Sequence, residues 1–328
     1  MTDKIRVVSI GAAVQDVFLE GAIFKPRQYK ESLIEQFELG TKNEVENVVF
    51  STGGGATNAS VTFARAGLDS SYLGSVGNDV AAAAVLDELK KETVNTDLVK
   101  RSKDLGTGYS LILLAPSGER TILTYRGASS NYGLSENDFK KLTRANWFYI
   151  SSLSGDFKSL KVIVHFAVKH GIKIAINPGA KELSKHHDFL ELMPHFTILS
   201  LNKDELEQLY GTADLTTLLH KANQHIKYVV VTDGPHGCYV ADGKNIYKAG
   251  MYENVKVVDR AGAGDAFCSG FVCKIAEGQS TETAITYASA NSTSVVSKIG
   301  AKTGILKSGA RLHSMPMQVS PMKQLVFS

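Results

Sequence analysis

Residues 255–271, VKVVDRAGAGDAFCSGF, restrict the fold of this chain more than any other stretch. A β-branched run, Val255 to Val258, reads as a strand that Asp259 ends. Gly262-Ala263-Gly264 then offers a turn with almost no side chain, and Asp265 opens an apolar segment, Ala266 to Val272, that reads as a buried helix. A small-residue turn at a helix start aims unpaired N–H groups in one direction, and the helix dipole adds positive potential there. Such a turn suits an anion, phosphate above all. An aspartate at its mouth repels a resting phosphate, but it suits a base that takes the proton of a hydroxyl attacking phosphorus. The same residues also fit a plain strand–turn–helix junction with Asp265 in the first helical turn. They are not a dinucleotide fingerprint, because Phe267 stands where GxGxxG needs its third glycine. No GxxxxGK[ST] occurs, and Ala301-Lys302-Thr303 lacks the glycine before the lysine.

Much of the remaining chain alternates strand-like and helix-like segments. Ile5 to Ile10 is an apolar run ended by Gly11, as in a parallel strand buried on both faces. Ligands of open parallel sheets lie beyond the carboxyl ends of the strands, so Asp16 is placed to accept hydrogen bonds from substrate hydroxyls, or to cap a turn. Residues 18–51 break the rhythm with strand-like runs at Phe18 to Ile23 and Val45 to Ser51. A second pair, Gly108 to Leu114 and Arg120 to Tyr125, is joined by the hairpin turn Ala115-Pro116-Ser117-Gly118-Glu119. Four such strands predict a small separate sheet. The spacing predicts a larger body from 1–17, 52–104 and 127–328, with 18–51 and 105–126 as the small sheet. Arg126 closes the second insertion, either as a surface cation or as a contact to phosphate or an acidic substrate. Gly53-Gly54-Gly55 leads into a helical run, which fits a hinge or a close approach to ligand. Asn202 and Glu205, three apart at a strand-to-helix junction, fit a capping box or two oxygen ligands for hydrated Mg²⁺. A small-residue helix, Glu282 to Ser297, fits close packing or a flat slot for a purine ring, with Asn291 as the candidate contact. From about Leu312 the chain reads as a loose tail.

Asp259-Arg260-Ala261-Gly262-Ala263-Gly264-Asp265 resembles the D-T-x-G-A-G-D motif of the ribokinase-like (PfkB-type) carbohydrate kinases. Three further motifs resemble that family in the same order: Gly54-Gly55 with Asn58, Asn202 with Glu205, and the Val-Thr-x-Gly-x-x-Gly of Thr232, Gly234 and Gly237. The resemblance covers residues 5 to about 305. It implies a doubly wound, mostly parallel α/β sheet flanked by helices, with a β-lid over the acceptor site. It implies Asp265 as catalytic base and the backbone of Gly262, Ala263 and Gly264 as anion hole. It also implies that Asp16, Gly54, Gly55 and Asn58 bind the acceptor, and that Thr232, Gly234 and Gly237 border ATP. Asn202 and Glu205 would order the water shell of Mg²⁺. Arg260 replaces the usual Thr beside a loop that many members use for a monovalent cation, so Asp259 is a candidate ligand for K⁺ whose requirement the substitution puts in question. In this family the lid can also be a homodimer interface.

The resemblance points to ATP-dependent phosphorylation of a primary hydroxyl on a small sugar. A nucleoside kinase or a sugar-acid kinase would use the same machinery. A non-catalytic nucleotide or sugar sensor is the reading from another class, and a pure binder has no use for the Asp265 carboxylate. A net charge of +3, from 36 basic and 33 acidic residues in 328, gives no electrostatic case for nucleic acid or a membrane surface. Cys238, Cys268 and Cys273 stand in apolar surroundings without CxxC spacing, and the run Val7 to Val14 is too short to span a membrane. These features predict a cytoplasmic protein.

Overall fold

The computed structural model describes residues 4–117, 119–130, 132–252 and 255–322; Gly118 of the expected hairpin turn lies outside the described residues. A nine-stranded sheet forms the body. Its parallel part runs Asp69–Leu73, Arg6–Ile10, Trp147–Ser151, Lys173–Asn177, Ile198–Asn202 and Tyr228–Thr232. Cys238–Ala241, Asn245–Ala249 and Met317–Pro321 extend it antiparallel. The chain leaves Arg6–Ile10 for one neighbour, Asp69–Leu73, and later returns to the other, Trp147–Ser151. This reversal opens a crevice at the carboxyl ends of the strands, the usual place for a ligand in such a sheet.

Side-chain alternation sends consecutive strand residues to opposite faces, and each face has its own helices. Val7, Tyr149 and Val230 pack with Phe63, Phe271 and Ala288 of the helices Gly55–Arg65, Ala263–Ala276 and Thr281–Val296. Val8, Ile150 and Val231 pack with Leu160, Leu206 and Leu218 of Phe157–Lys169, Lys203–Tyr210 and Leu215–Asn223. Each such large side chain taken fully out of water contributes about 1.5–3 kcal/mol. The sheet is therefore doubly wound and mostly parallel.

A second, four-stranded sheet has the order Arg120–Tyr125, Gly108–Leu114, Val14–Glu20, Asn47–Gly53. It takes in residues 14–17 and 52–53, which the sequence division leaves with the larger body. Asp79 anchors the entry to this sheet. It accepts from Thr107 N at 2.7 Å and Thr107 Oγ1 at 2.6 Å while capping the helix Val80–Lys91 through Ala82 N at 2.8 Å. Burial alone would raise the Asp79 carboxyl, but these bonds hold it below its ordinary value. Pairing puts Val17, Phe50, Leu111 and Leu123 on one face of the sheet, where Phe50 and Leu123 are 69% and 55% exposed.

Two local expectations are corrected. Val255 to Val258 form no strand; their neighbour is a helix end, with Val258 N and Asp259 N both donating to Val296 O, so no ladder is available. The C-terminal segment is no loose tail throughout, because Met317–Pro321 pairs with Asn245–Ala249 along the sheet edge. No helix among the described residues is long and apolar enough to cross a membrane.

Candidate active site

Gly262 caps the helix Ala263–Ala276 in the left-handed conformation, φ 76°. This places Asp265 in the third helical position, as the glycine turn predicts. The Ala263 N–H closes the turn on Arg260 O at 3.3 Å. The amides of Gly262, Gly264 and Asp265 have no protein acceptor among the described residues. The free donors thus differ by one from the expected trio: Ala263 is used internally, and Asp265 supplies an amide of its own. A side chain built on Gly264 would meet nothing within 4 Å, and the residue lines a cavity.

Asp265 and Asn58 meet across this turn. Asn58 belongs to Gly55–Arg65, whose N-cap is Gly54 at φ 101°. Its Nδ2 donates to Asp265 Oδ2 at 2.7 Å, and its buried Oδ1 has no partner among the described residues. An unpaired buried amide oxygen suits a ligand hydroxyl. A Cβ on Gly55 would lie 3.1 Å from Asp265 Oδ1, and one on Gly54 would overlap Ala12 O. Glycine at 54 lets this turn pass close to Ala12, and glycine at 55 leaves Asp265 uncrowded. Burial raises the Asp265 carboxyl, against the lowering effects of Asn58 and Lys302.

Asp16 lies inside the strand Val14–Glu20 rather than in a loop after the first strand. It pairs in register with Ser51 and Ser110, and Gly53 leaves room for its carboxylate. It is 7% exposed, and burial lifts its pKa to about 6, with Lys302 and the Ser110 hydroxyl opposing and Asp259 and Asp265 assisting. The sign of the linkage follows. A carboxyl whose folded pKa lies above its unfolded value binds its proton more tightly when folded, so above pH 6 its charge favours unfolding. Asp16→Asn is expected to raise the unfolding temperature at pH 7, by up to ~2–3 kcal/mol of stability. It is also expected to weaken any hydroxyl ligand that needs the carboxylate. Thermal unfolding of both forms at about pH 4.5 and pH 7 checks this: the gain should shrink at the acid end, and a gain equal at both pH values would refute the assignment.

A cavity of about 250 Å³ opens beside the turn. Thr232, Gly234 and Gly237 line it together with Ala263, Gly264 and Arg260. Met251, Val257, Phe267 and Val296 add apolar wall, and Ser289, Ser292 and Thr293 present the small-residue face of Thr281–Val296. Asn291 is corrected. It is fully buried, and its amide is spent on Ala266 O at 2.8 Å and Leu306 N at 2.9 Å. The helix turns its serines and threonine, not this residue, to the cavity.

Asn202 and Thr232 are register partners at adjacent strand ends. Asn202 and Glu205 form the capping box, with Glu205 N donating to Asn202 Oδ1 at 2.8 Å and Asn202 N to Glu205 Oε2 at 2.9 Å. Burial raises the Glu205 carboxyl, and Oε1 has no protein partner among the described residues. Asp259 is buried and accepts from Ala261 N at 2.9 Å and Gly300 N at 3.1 Å, tying the turn to the 300 loop. Arg126 is exposed and donates to Ser154 Oγ at 3.1 Å. No group of three or more His, Cys, Asp or Glu among the described residues is arranged to hold a metal. Cys268, one turn past Asp265, touches Ser200 Oγ at 2.6 Å, and burial pushes its thiol to about 12, so it stays protonated.

Sequence reasoning missed Lys302, which is 1% exposed in the body of the site. It stands in a Gly-Ala-Lys-Thr-Gly turn that matters to no phosphate-loop pattern. A lone lysine among small residues was the available signal. Arg260, the departure from the family motif, is part of the cavity wall, and its Nη1 approaches Glu119 Oε1 in the turn before Arg120–Tyr125 at 4.0 Å.

Known proteins resemble this chain over most of its length. A family model described as pfkB family carbohydrate kinase matches residues 7–308. A ribokinase of Schizosaccharomyces pombe is 29% identical over 275 residues, covering 78% of this chain and 84% of that one. The structure of Arabidopsis thaliana ribokinase complexed with ribose and ATP superposes with a TM-score of 0.76 at 22% identity, covering 93% and 96% of the two chains. The Methanocaldococcus jannaschii nucleoside kinase, an archaeal member of the ribokinase family, superposes at 0.73 with 20% identity, covering 92% and 95%. With the family model spanning nearly the whole chain, the protein belongs to the pfkB family of carbohydrate kinases and is a sugar kinase.

Proposed function

We propose that the protein transfers the γ-phosphoryl group of ATP to a primary hydroxyl of a small sugar, with Asp265 as base. The observation that carries this reading is a half-buried carboxylate in the first turn of a helix, bonded to Asn58, beside the free amide of Gly264, which lines the cavity. A hydroxyl held by Asp16 and Asn58 gives its proton to Asp265. Its oxygen forms the new bond to phosphorus as the bond to the ADP oxygen breaks. The amides of Gly262, Gly264 and Asp265 take the charge that develops on the transferring group. Thr232, Gly234 and Gly237 border the nucleotide. Asn202 and Glu205 would hold Mg²⁺ through its waters, with the free Oε1 and the burial-raised carboxyl favouring a nearby cation; the ion supplies neutralisation of phosphate charge. The unpaired Glu205 carboxylate oxygen fits that role. Asp259 is the candidate ligand of a monovalent cation, which rates in Na⁺ and K⁺ buffers compare.

The four-stranded sheet serves as a lid that keeps water from the phosphoryl group. Its exposed apolar face fits a second copy of the chain, so Phe50→Glu is expected to convert a dimer to monomer in sedimentation. A wild type that sediments as a monomer removes that part. Coupled-assay phosphorylation of a panel of pentoses, hexoses, sugar acids and nucleosides tests the main reading. Turnover of nucleosides alone replaces the sugar reading, turnover of sugar acids alone directs attention to Arg126, and no turnover of any acceptor overturns it.

A further inference from the structure

Lys302 Nζ donates to Thr52 O at 2.7 Å and to Thr52 Oγ1 at 2.9 Å. The Thr52 hydroxyl in turn donates to Glu88 Oε2, which lies 3.9 Å from the ammonium. Charged groups reach Lys302 from each element packed on it. Asp16 comes from Val14–Glu20, Asp265 from Ala263–Ala276, Glu88 from Val80–Lys91, and Glu92 from the end of that helix. Glu92 is matched by Arg65, whose Nη2 pairs with it at 2.7 Å while Nη1 donates to Lys302 O at 2.9 Å; Lys307 adds further positive charge on that side. Lys302 and Asp16 are buried while Glu88 and Asp265 are half-buried, and the ammonium's anchor Thr52 adjoins Gly53, whose missing Cβ leaves the place that Asp16 Oδ2 fills. A buried ammonium hydrogen-bonded only to neutral oxygens, with carboxylates around it, is an electrostatic device rather than a packing element.

We propose that Lys302 is a positioning residue for phosphoryl transfer, its side chain, anchored on Thr52, supplying the counter-charge on the Asp16 and Asp265 side of the site. The proposal rests on the reading of Asp265 as base and adds the group that holds it ready. Burial pulls both carboxyls toward the protonated form, and a protonated Asp265 cannot accept the acceptor's proton. Lys302 opposes that pull at both residues from one point. Its two bonds to Thr52 also fix the strand that delivers Gly53 and Gly54. Glu88 sets how much of the ammonium's charge is left for the site.

The test compares wild type with Lys302→Met, Lys302→Arg and Glu88→Gln. Aspartate Cγ is labelled with ¹³C, the resonances are assigned through Asp16→Asn and Asp265→Asn, and each protein is titrated from about pH 4 to pH 9. Rate profiles are measured on the acceptor found in the panel. Removing the ammonium is expected to move the carboxyl titrations and the acid limb of kcat upward by ~1–3 units. Lys302→Arg keeps the wild-type limb. Glu88→Gln removes a nearby negative charge and moves the limb downward. Shifts of opposite sign from two neighbours are not produced by a general loosening of the site. Titrations unchanged in both Met and Gln variants overturn the proposal. If Lys302→Met does not fold, Lys302→Gln is titrated in its place: an upward shift of the carboxyls supports the proposal and the lack of one overturns it. Carboxyl shifts as stated in a protein that phosphorylates nothing overturn the kinase reading and the catalytic role together, while leaving the ammonium as the source of the shifts.

Discussion

Asp265→Asn lowers kcat by ~10²–10⁴-fold, the share of a rate that a positioned base supplies, while KM for both substrates moves little. The separation is expected because the carboxamide is nearly isosteric and can keep a bond to Asn58, now at 2.7 Å, if either amide reorients. Fold stability should not fall. Burial raises the Asp265 carboxyl, so at pH 7 its charge opposes folding, and the neutral side chain removes that cost. The variant therefore unfolds at the wild-type temperature or above it. Initial rates at saturating nucleotide, with thermal unfolding of the same preparations, make the comparison. Turnover within a few-fold of wild type would remove Asp265 from the mechanism. A loss of activity that tracked a fall in unfolding temperature would assign it to the fold instead.

The parallel strands were legible because burial on both faces leaves uninterrupted apolar runs, as in Arg6–Ile10 and Tyr228–Thr232. The small sheet was legible from broken rhythm and a hairpin turn. Its true start at Val14 was not, since no turn signal separates residues 14–17 from the loop before them, and the chain changes sheets within a few residues of Ile10. Val255 to Val258 shows the limit of local propensity: β-branched residues make a strand only where a neighbouring edge exists to pair with. Met317–Pro321 shows the converse, a segment without periodicity that becomes a strand because the sheet offers it an edge. In the site, the motif residues Asp265 and Asn58 are brought together, and Gly264, Thr232, Gly234 and Gly237 line one cavity. Lys302 did not, because its meaning is set by Thr52, Glu88, Asp16 and Asp265, all distant in sequence. Asn291 failed for the same reason, since a small-residue helix does not reveal which of its faces meets its neighbour.

Two glycines of the catalytic turn should separate catalysis from folding. At Gly262 the backbone is left-handed, and an added Cβ would stand 2.5 Å from Ala301 Cβ and 2.8 Å from Ala301 Cα. Gly262→Ala thus incurs ~1–2 kcal/mol for the conformation and a further clash with main chain that cannot step aside. It is expected to unfold several degrees below wild type and to lose activity with its structure. At Gly264 the helix is regular and the same methyl meets nothing within 4 Å. There alanine is the better helix former, worth up to ~1 kcal/mol, so stability holds or rises. Yet Gly264 lines the cavity together with Thr232 and Gly237, and in the proposed mechanism a transferring phosphoryl oxygen approaches its amide there. Gly264→Ala is therefore expected to lower kcat/KM for ATP by ~10²-fold or more, the scale of losing one such donor, in a protein that melts no earlier than wild type. Wild-type nucleotide kinetics in this variant would mean that the open space beside Gly264 is not where the phosphoryl group passes, and the anion hole would have to be sought elsewhere.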